Sequence, residues 1–169
     1  RRHGLLLLPT DHPGCSRRSP RAALLILIGG VVAFLSARLR ESEQQMNQII
    51  EFLPDATFAI DIKGRVIAWN RAIEDMTGVK KEVMLARGDH EYAVPFYGER
   101  RPLLLDLILK GDPEGWYPSI RREGDILIAE THTSHLRGGR GAQIRFAATA
   151  LLDHEGRVVG AIESIRDVT

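Results

Sequence analysis

Residues Gly141–Thr169 read GAQIRFAATALLDHEGRVVGAIESIRDVT, and this stretch decides the fold. Ala142, Ile144, Phe146, Ala148, Ala150 and Leu152 fall on alternate positions, with Gln143, Arg145 and Thr149 between them. A period of two belongs to a strand with one buried face, so residues 142–152 are expected to form one. Asp153-His154-Glu155-Gly156 then makes a tight turn, with glycine where hairpin loops commonly need positive φ. Val158–Val168 is the returning strand, ending on Asp167-Val168-Thr169. A core hairpin that runs to the last residue suggests a boundary at a domain edge.

The same turn recurs near the other end of this region. Asp61-Ile62-Lys63-Gly64-Arg65-Val66 matches Asp153–Val158 at Asp, Gly, Arg and Val. Phe58 and Ile60 share a face before it, and Ile67 and Trp69 share one after it. Asn70 is placed to cap a helix over Arg71–Thr77, closed by Gly78 in the left-handed conformation. Lys80–Ala86 reads as a second short helix, and Asp89–Gly98 as an aromatic loop with Tyr92, Pro95, Phe96 and Tyr97. Pro102 leads into Leu103–Lys110, a helix apolar almost all round and therefore covered on most sides. Asp112–Gly124 is a polar turn region around Trp116 and Tyr117, Asp125–His135 a strand, and Leu136–Gly141 a connection. Two strands, short helices, one buried helix and three long strands imply an α+β fold: an antiparallel sheet with helices on one face.

Residues 1–21 have no periodicity, are rich in proline and arginine, and read as irregular or disordered. Ala22–Ala37 is uncharged, with Arg17, Arg18 and Arg21 before it and Arg38 and Arg40 after. Its sixteen residues give roughly 24 Å of helix against the ~30 Å hydrocarbon core, a gap that Leu39 and snorkelling arginines narrow. Residues 22–39 are therefore expected to form a transmembrane helix, with a signal-peptide core and a buried soluble helix as alternatives. Residues 40–53 form a linker helix. Leu39, Met46 and Leu53 are seven apart with Ile49 at a d position, which fits either a short coiled coil or a helix packed on the following domain. Residues 54–169 complete the chain as one domain.

Composition excludes several classes. A net charge of +1 gives no general attraction to nucleic acid. The single cysteine, Cys15, allows neither an intrachain disulfide nor a cysteine zinc site. The first residue is Arg1, which suggests a fragment or a processed product.

Over Ile49–Thr169 the chain resembles the PAS family. The resemblance lies in Asp55–Asp61 followed by Gly64-Arg65-Val66-Ile67-Ala68-Trp69-Asn70, in Pro95-Phe96-Tyr97-Gly98 with Arg100-Arg101-Pro102, and in Gly156–Thr169. Asp167-Val168-Thr169 is similar to the family's Asp-Ile-Thr ending. The resemblance implies a five-stranded antiparallel sheet, a cavity beneath the helices, a homodimer, and output through Asp167 and Thr169. It also implies a sensory or relay role in a membrane-anchored, single-pass two-component histidine kinase, with the domain in the cytoplasm and the kinase downstream.

Apolar candidates for a ligand or cofactor wall are Phe58, Trp69, Phe96, Leu104, Ile108, Ile128 and Phe146, with His132 as a polar member; a filled core is the alternative. No cofactor is assigned. The domain lacks the cysteine of flavin-adduct light sensors, and Leu103–Lys110 lacks the histidine that haem-binding relatives use. His132 and His135, three apart, would point to opposite faces of a strand and could not share a metal. Arg137-Gly138-Gly139-Arg140-Gly141 reads as a hairpin loop, since one copy without aromatics does not make an RNA-binding tract. No catalytic constellation is present in the sequence.

Overall fold

The computed structural model describes residues 20–111, 117 and 119–169. The irregular reading of residues 1–21, the position of Cys15 and that of Trp116 thus fall outside the described residues, apart from Pro20 and Arg21, which open a helix. Two units are distinguished, residues 1–42 and residues 43–169.

The strands are β1 (Ala56–Asp61), β2 (Val66–Trp69), β3 (Ile120–Glu123), β4 (Ile126–Thr133), β5 (Ala142–Leu152) and β6 (Val158–Asp167). They form one antiparallel sheet in the order β2-β1-β6-β5-β4-β3. The expected sheet had five strands; β3, inside the segment read as a polar turn, is the sixth. It is an edge strand of sequence Ile-Arg-Arg-Glu with every residue exposed, so no alternation of burial marks it. Gly124, at φ 60°, turns it back onto β4.

The two matching turns share one geometry. Asp61 Oδ1 accepts the amides of Lys63 (2.8 Å) and Arg65 (2.9 Å), and Asp153 Oδ1 accepts those of Glu155 and Arg157, both at 2.9 Å. Gly64 and Gly156 adopt φ of 77° and 78°. At Gly160 the reason for glycine is different: a Cβ there would lie 2.2 Å from the Ile60 carbonyl oxygen, so any side chain would push β1 and β6 apart.

Helix α1 runs without a break from Pro20 to Glu51, where two elements were expected. Leu24, Leu25, Leu27, Ile28, Val31, Val32, Phe34 and Leu35 are exposed along it. Among the described residues no helix is long and apolar enough to cross a membrane, so residues 22–39 are observed as helix and not as a span. Of the heptad positions, Ile49 and Leu53 are exposed, and the side chains of Leu39, Ser42 and Met46 lie outside the described residues.

The remaining helices lie in the β2–β3 connection and before β5: α2 (Arg71–Thr77), α3 (Lys81–Met84), α4 (Val94–Tyr97), α5 (Leu104–Lys110) and α6 (Leu136–Gly139). Asn70 caps α2 as expected, its Oδ1 accepting from the amides of Ile73 (3.0 Å) and Thr57 (2.9 Å). Its Nδ2 donates to Asp55 O at 2.9 Å, so one buried side chain fixes helix, strand and domain entry together. α3 is shorter than expected, because Ala86 turns to φ 62° and its amide joins β2 through Val66 O. The aromatic loop is partly helical: a 3-10 turn at Glu91–Ala93 leads into α4, with Pro95 in its first turn. α6 is broken by positive φ at Arg137 and Gly138.

Candidate functional site

Strand parity carries the site. On β6, Ala161, Glu163 and Ile165 point to the helix-covered face, opposite Ala150, Ala148 and Phe146 of β5. Glu163 is a carboxylic acid at an apolar position, and it is fully buried. Its Oε2 accepts the amide of Leu105 on α5 at 2.7 Å, which ties that helix to the central strand. Among the described residues its Oε1 has no hydrogen-bond partner. Burial pushes the carboxyl pKa up to about 8; the Leu105 amide opposes this and the nearby Asp106 adds to it. Glu163 is therefore a neutral acid at neutral pH.

Asp106, also buried, lies one residue beyond Leu105. It accepts the Tyr92 hydroxyl at 2.7 and 2.9 Å on its two oxygens and the Leu103 amide at 2.9 Å. His90 Nε2 stands 3.4 Å from Asp106 Oδ1. Burial, followed by the charge of Asp106, pushes the Tyr92 hydroxyl far above its ordinary range. Asp89 and His90 both take left-handed φ (54° and 57°), a costly conformation for residues other than glycine, and Arg100 bridges Asp89 and Glu91 beside them.

A second wall is aromatic. The Arg101 guanidinium stacks over the Tyr97 ring at 4.0 Å and lies 5.8 Å from the Tyr117 ring. Tyr117 and Phe96 meet Phe146 edge-on at 5.9 and 6.3 Å. The hydroxyls of Tyr97 and Tyr117 are buried without a hydrogen-bond partner among the described residues. Burial drives both pKa values up, Tyr97 to about 12, and Glu163 adds to the effect on each.

The structure gathers Phe58, Trp69, Phe96, Leu104 and Phe146 into one buried cluster, with Ile108 packed against it. Ile128 and His132 fall on the opposite parity of β4 from Leu127 and Ala129, which join the cluster. His132 is exposed, and its Nε2 would lie 2.6 Å from a Cβ built on Gly141. Glu163, Tyr92, Asp106, Tyr97, Arg101 and Tyr117 were missed. The clue for Glu163 was a carboxylate on the apolar parity of a strand. Among the described residues no group of histidine, cysteine, aspartate and glutamate is arranged to hold a metal ion.

The outer face of the sheet differs. Pro54, Thr57, Ile126, Ala147, Ile162 and Ser164 line an open groove of about 270 Å³. At the domain exit, Asp167 accepts the Thr169 amide at 3.0 Å and pairs with Arg137 at 2.6 Å. Thr169 Oγ1 accepts the Gln143 amide at 3.0 Å. The bonds from Thr169, aided by Arg137, hold the Asp167 carboxyl below its ordinary pKa. Arg166 pairs with Asp55 through two bonds of 3.0 and 2.6 Å, joining the exit to the entry.

Solved structures with this architecture share little sequence with the chain. The PAS domain of BvgS from Bordetella pertussis is 16% identical, the match covering 76% of this chain and 86% of that one, with a TM-score of 0.51. The PAS domain of an HTR-like protein from Haloarcula marismortui is 17% identical over 80% of this chain and 99% of that one, at 0.50. A phage VqmA–DPO complex is 18% identical over 80% of this chain and 56% of that one, at 0.51. At such identities the likeness shows the fold alone. No curated protein matches the chain. A family model, the PAS fold, matches residues 44–168, and with sheet, helices and exit turn in agreement, the chain belongs to the PAS family.

Proposed function

We propose that this chain is a sensory and relay module whose helix-facing wall reports through β6 to Asp167–Thr169, and from there to an effector in the same polypeptide. The observation that carries the reading is the bond from Leu105 N to Glu163 Oε2, because it fastens α5 to the strand that ends at the exit. A shift of α5 must move Glu163 or break that bond, and Glu163 is only four residues from Asp167. The phage VqmA structure of like fold is a complex with DPO, which supports a small molecule as the stimulus. A histidine kinase is the proposed effector, in keeping with the resemblance to sensor-kinase PAS modules. The same proposal includes a homodimer, supported by the exposed apolar side chains of α1 and the outer groove. Membrane anchoring through residues 22–39, with the domain cytoplasmic, rests on the uncharged run between arginines.

A second reading, a ligand-free dimerisation and relay module, is favoured by one observation: Phe58, Tyr92, Phe96 and Phe146 are fully buried and fill the inner face. Both readings route the signal through β6, and amide exchange on the full chain tests that route. Glu163→Leu is expected to speed exchange at Leu105 and also at Val168, whose amide donates to Gln143 O at 2.8 Å. Faster exchange at Leu105 with Val168 unchanged would sink the relay. Native mass spectrometry then separates the readings: a stoichiometric bound molecule favours the sensor, and a bare dimer favours the ligand-free module.

A further inference from the structure

Three polar groups in the inner wall are buried without partners among the described residues: Glu163 Oε1 and the hydroxyls of Tyr97 and Tyr117. Buried polar groups are nearly always satisfied, so three unmet ones in a single wall call for an explanation. Each is an oxygen that donates when protonated. Glu163 is a neutral acid at neutral pH, and neither phenol ionises near it. Beside them stands Arg101, partly exposed, with its guanidinium on the Tyr97 face.

We propose that Glu163, Tyr97, Tyr117 and Arg101 form a site for a small monocarboxylate that enters past Arg101, with its apolar end against Phe96 and Phe146. This rests on the sensory reading above and names the ligand class for it. Charge decides the class. The wall presents three O–H donors and one fixed positive charge, a set matched to a singly charged oxygen acceptor. A cationic ligand would meet the Arg101 guanidinium and find no ionised carboxylate on Glu163 to offset it. A dianion such as phosphate would bring two charges to one guanidinium, with the Asp106 carboxyl close behind Glu163. The flat, delocalised carboxylate is also the shape that a guanidinium binds through paired hydrogen bonds.

The site has its own pH signature. The titratable groups facing Glu163 are Asp106 on α5, Tyr92 in the 3-10 turn, Tyr97 on α4 and Tyr117 before β3. When Glu163 ionises it stops donating and repels the ligand, so affinity falls in alkaline solution. Glu163→Gln keeps a neutral donor at the same place and loses that pH dependence.

The test uses the full chain, titrated calorimetrically with sodium propionate and sodium benzoate against matched sodium chloride, ethylamine and benzylamine hydrochlorides. A carboxylate is expected to bind saturably near neutral pH and to raise the melting temperature. Tyr97→Phe and Arg101→Met should each weaken it by about tenfold or more, as loss of a charge-assisted bond does. The surface variant Arg121→Met should leave it unchanged. Glu163→Gln should bind like wild type at neutral pH and more tightly than wild type in alkali. The proposal is overturned if the amines bind in place of the carboxylates. It also fails if no carboxylate binds at millimolar concentration, or if Tyr97→Phe and Arg101→Met bind as wild type does. The exchange response of Val168 to Glu163→Leu is measured without ligand, so loss of the ligand class leaves the relay standing, and loss of the relay shows there first.

Discussion

The two faces of β6 do opposite things with alternate residues of one strand. Toward the helices, Ala161, Glu163 and Ile165 are fully buried, and the one polar member is bonded to α5. Away from them, Ile162 and Ser164 line an open groove, and Arg166 reaches the entry residue Asp55. The inner face is specific, because a buried carboxyl tolerates few changes in its surroundings. The outer face is adhesive, since apolar area and an exposed ion pair suit a surface that another element covers. A relay strand is thus placed to report both on the inner wall and on whatever meets the groove.

The contrast can be broken most severely from the inside. Phe146→Ala removes a fully buried ring that meets Phe96 and Tyr117, and should destabilise the domain by about 3–5 kcal/mol in chemical denaturation. Ile162→Ala, on the other face, should cost less than half as much. Equal losses would mean that the groove is as well packed as the core, and the distinction between faces would fall.

The next effect is a dependence on pH. Folded Glu163 keeps its proton up to about pH 8, whereas in the unfolded chain it loses it near 4.5. Between those values the unfolded state binds fewer protons, so stability declines as pH rises through the window and levels off above it. Full burial makes the change on the order of a few kcal/mol. Glu163→Gln, which can accept from Leu105 N as the neutral acid does, should flatten the decline and be the more stable protein in mild alkali. A wild-type stability that rises over this window would show that Glu163 is not held neutral.

How much of this was legible follows from period and parity. The β5–β6 hairpin, the twin aspartate–glycine turns and the Asn70 cap each leave a local mark, and they were readable as written. β3 left none: an exposed Ile-Arg-Arg-Glu edge looks like a polar loop, and only pairing with β4 makes it a strand. The inner wall was half legible. Phe58, Phe96 and Phe146 follow from apolar patterning, but that patterning passes over the polar residues that give the wall its chemistry. Glu163 was visible in principle, as an acid on the parity of Ala161 and Ile165. Tyr92 and Asp106 meet across fourteen residues through a fold that no local pattern encodes. Ile128 illustrates the opposite error, for an apolar residue in a strand pattern needs its parity checked before it is assigned to the core.

The smallest expected effect lies at the exit, where the contrast between faces should disappear into a mobility change. Asp167→Asn keeps an oxygen for the Thr169 amide and loses the ion pair with Arg137, a pair whose side chains are both partly exposed. Pairs of that kind contribute about 0–1 kcal/mol, so the melting temperature should barely move. Exchange at the Val168 amide should nevertheless quicken, because Arg137 ties the β4–β5 connection to the strand end and Thr169 holds the start of β5. If stability fell as far as it does in Glu163→Leu, with exchange at Val168 unchanged, Asp167 would be a structural clasp and the exit would have to lie elsewhere. If exchange rises at constant stability, the ion pair restrains the strand without holding up the fold, as an output latch requires.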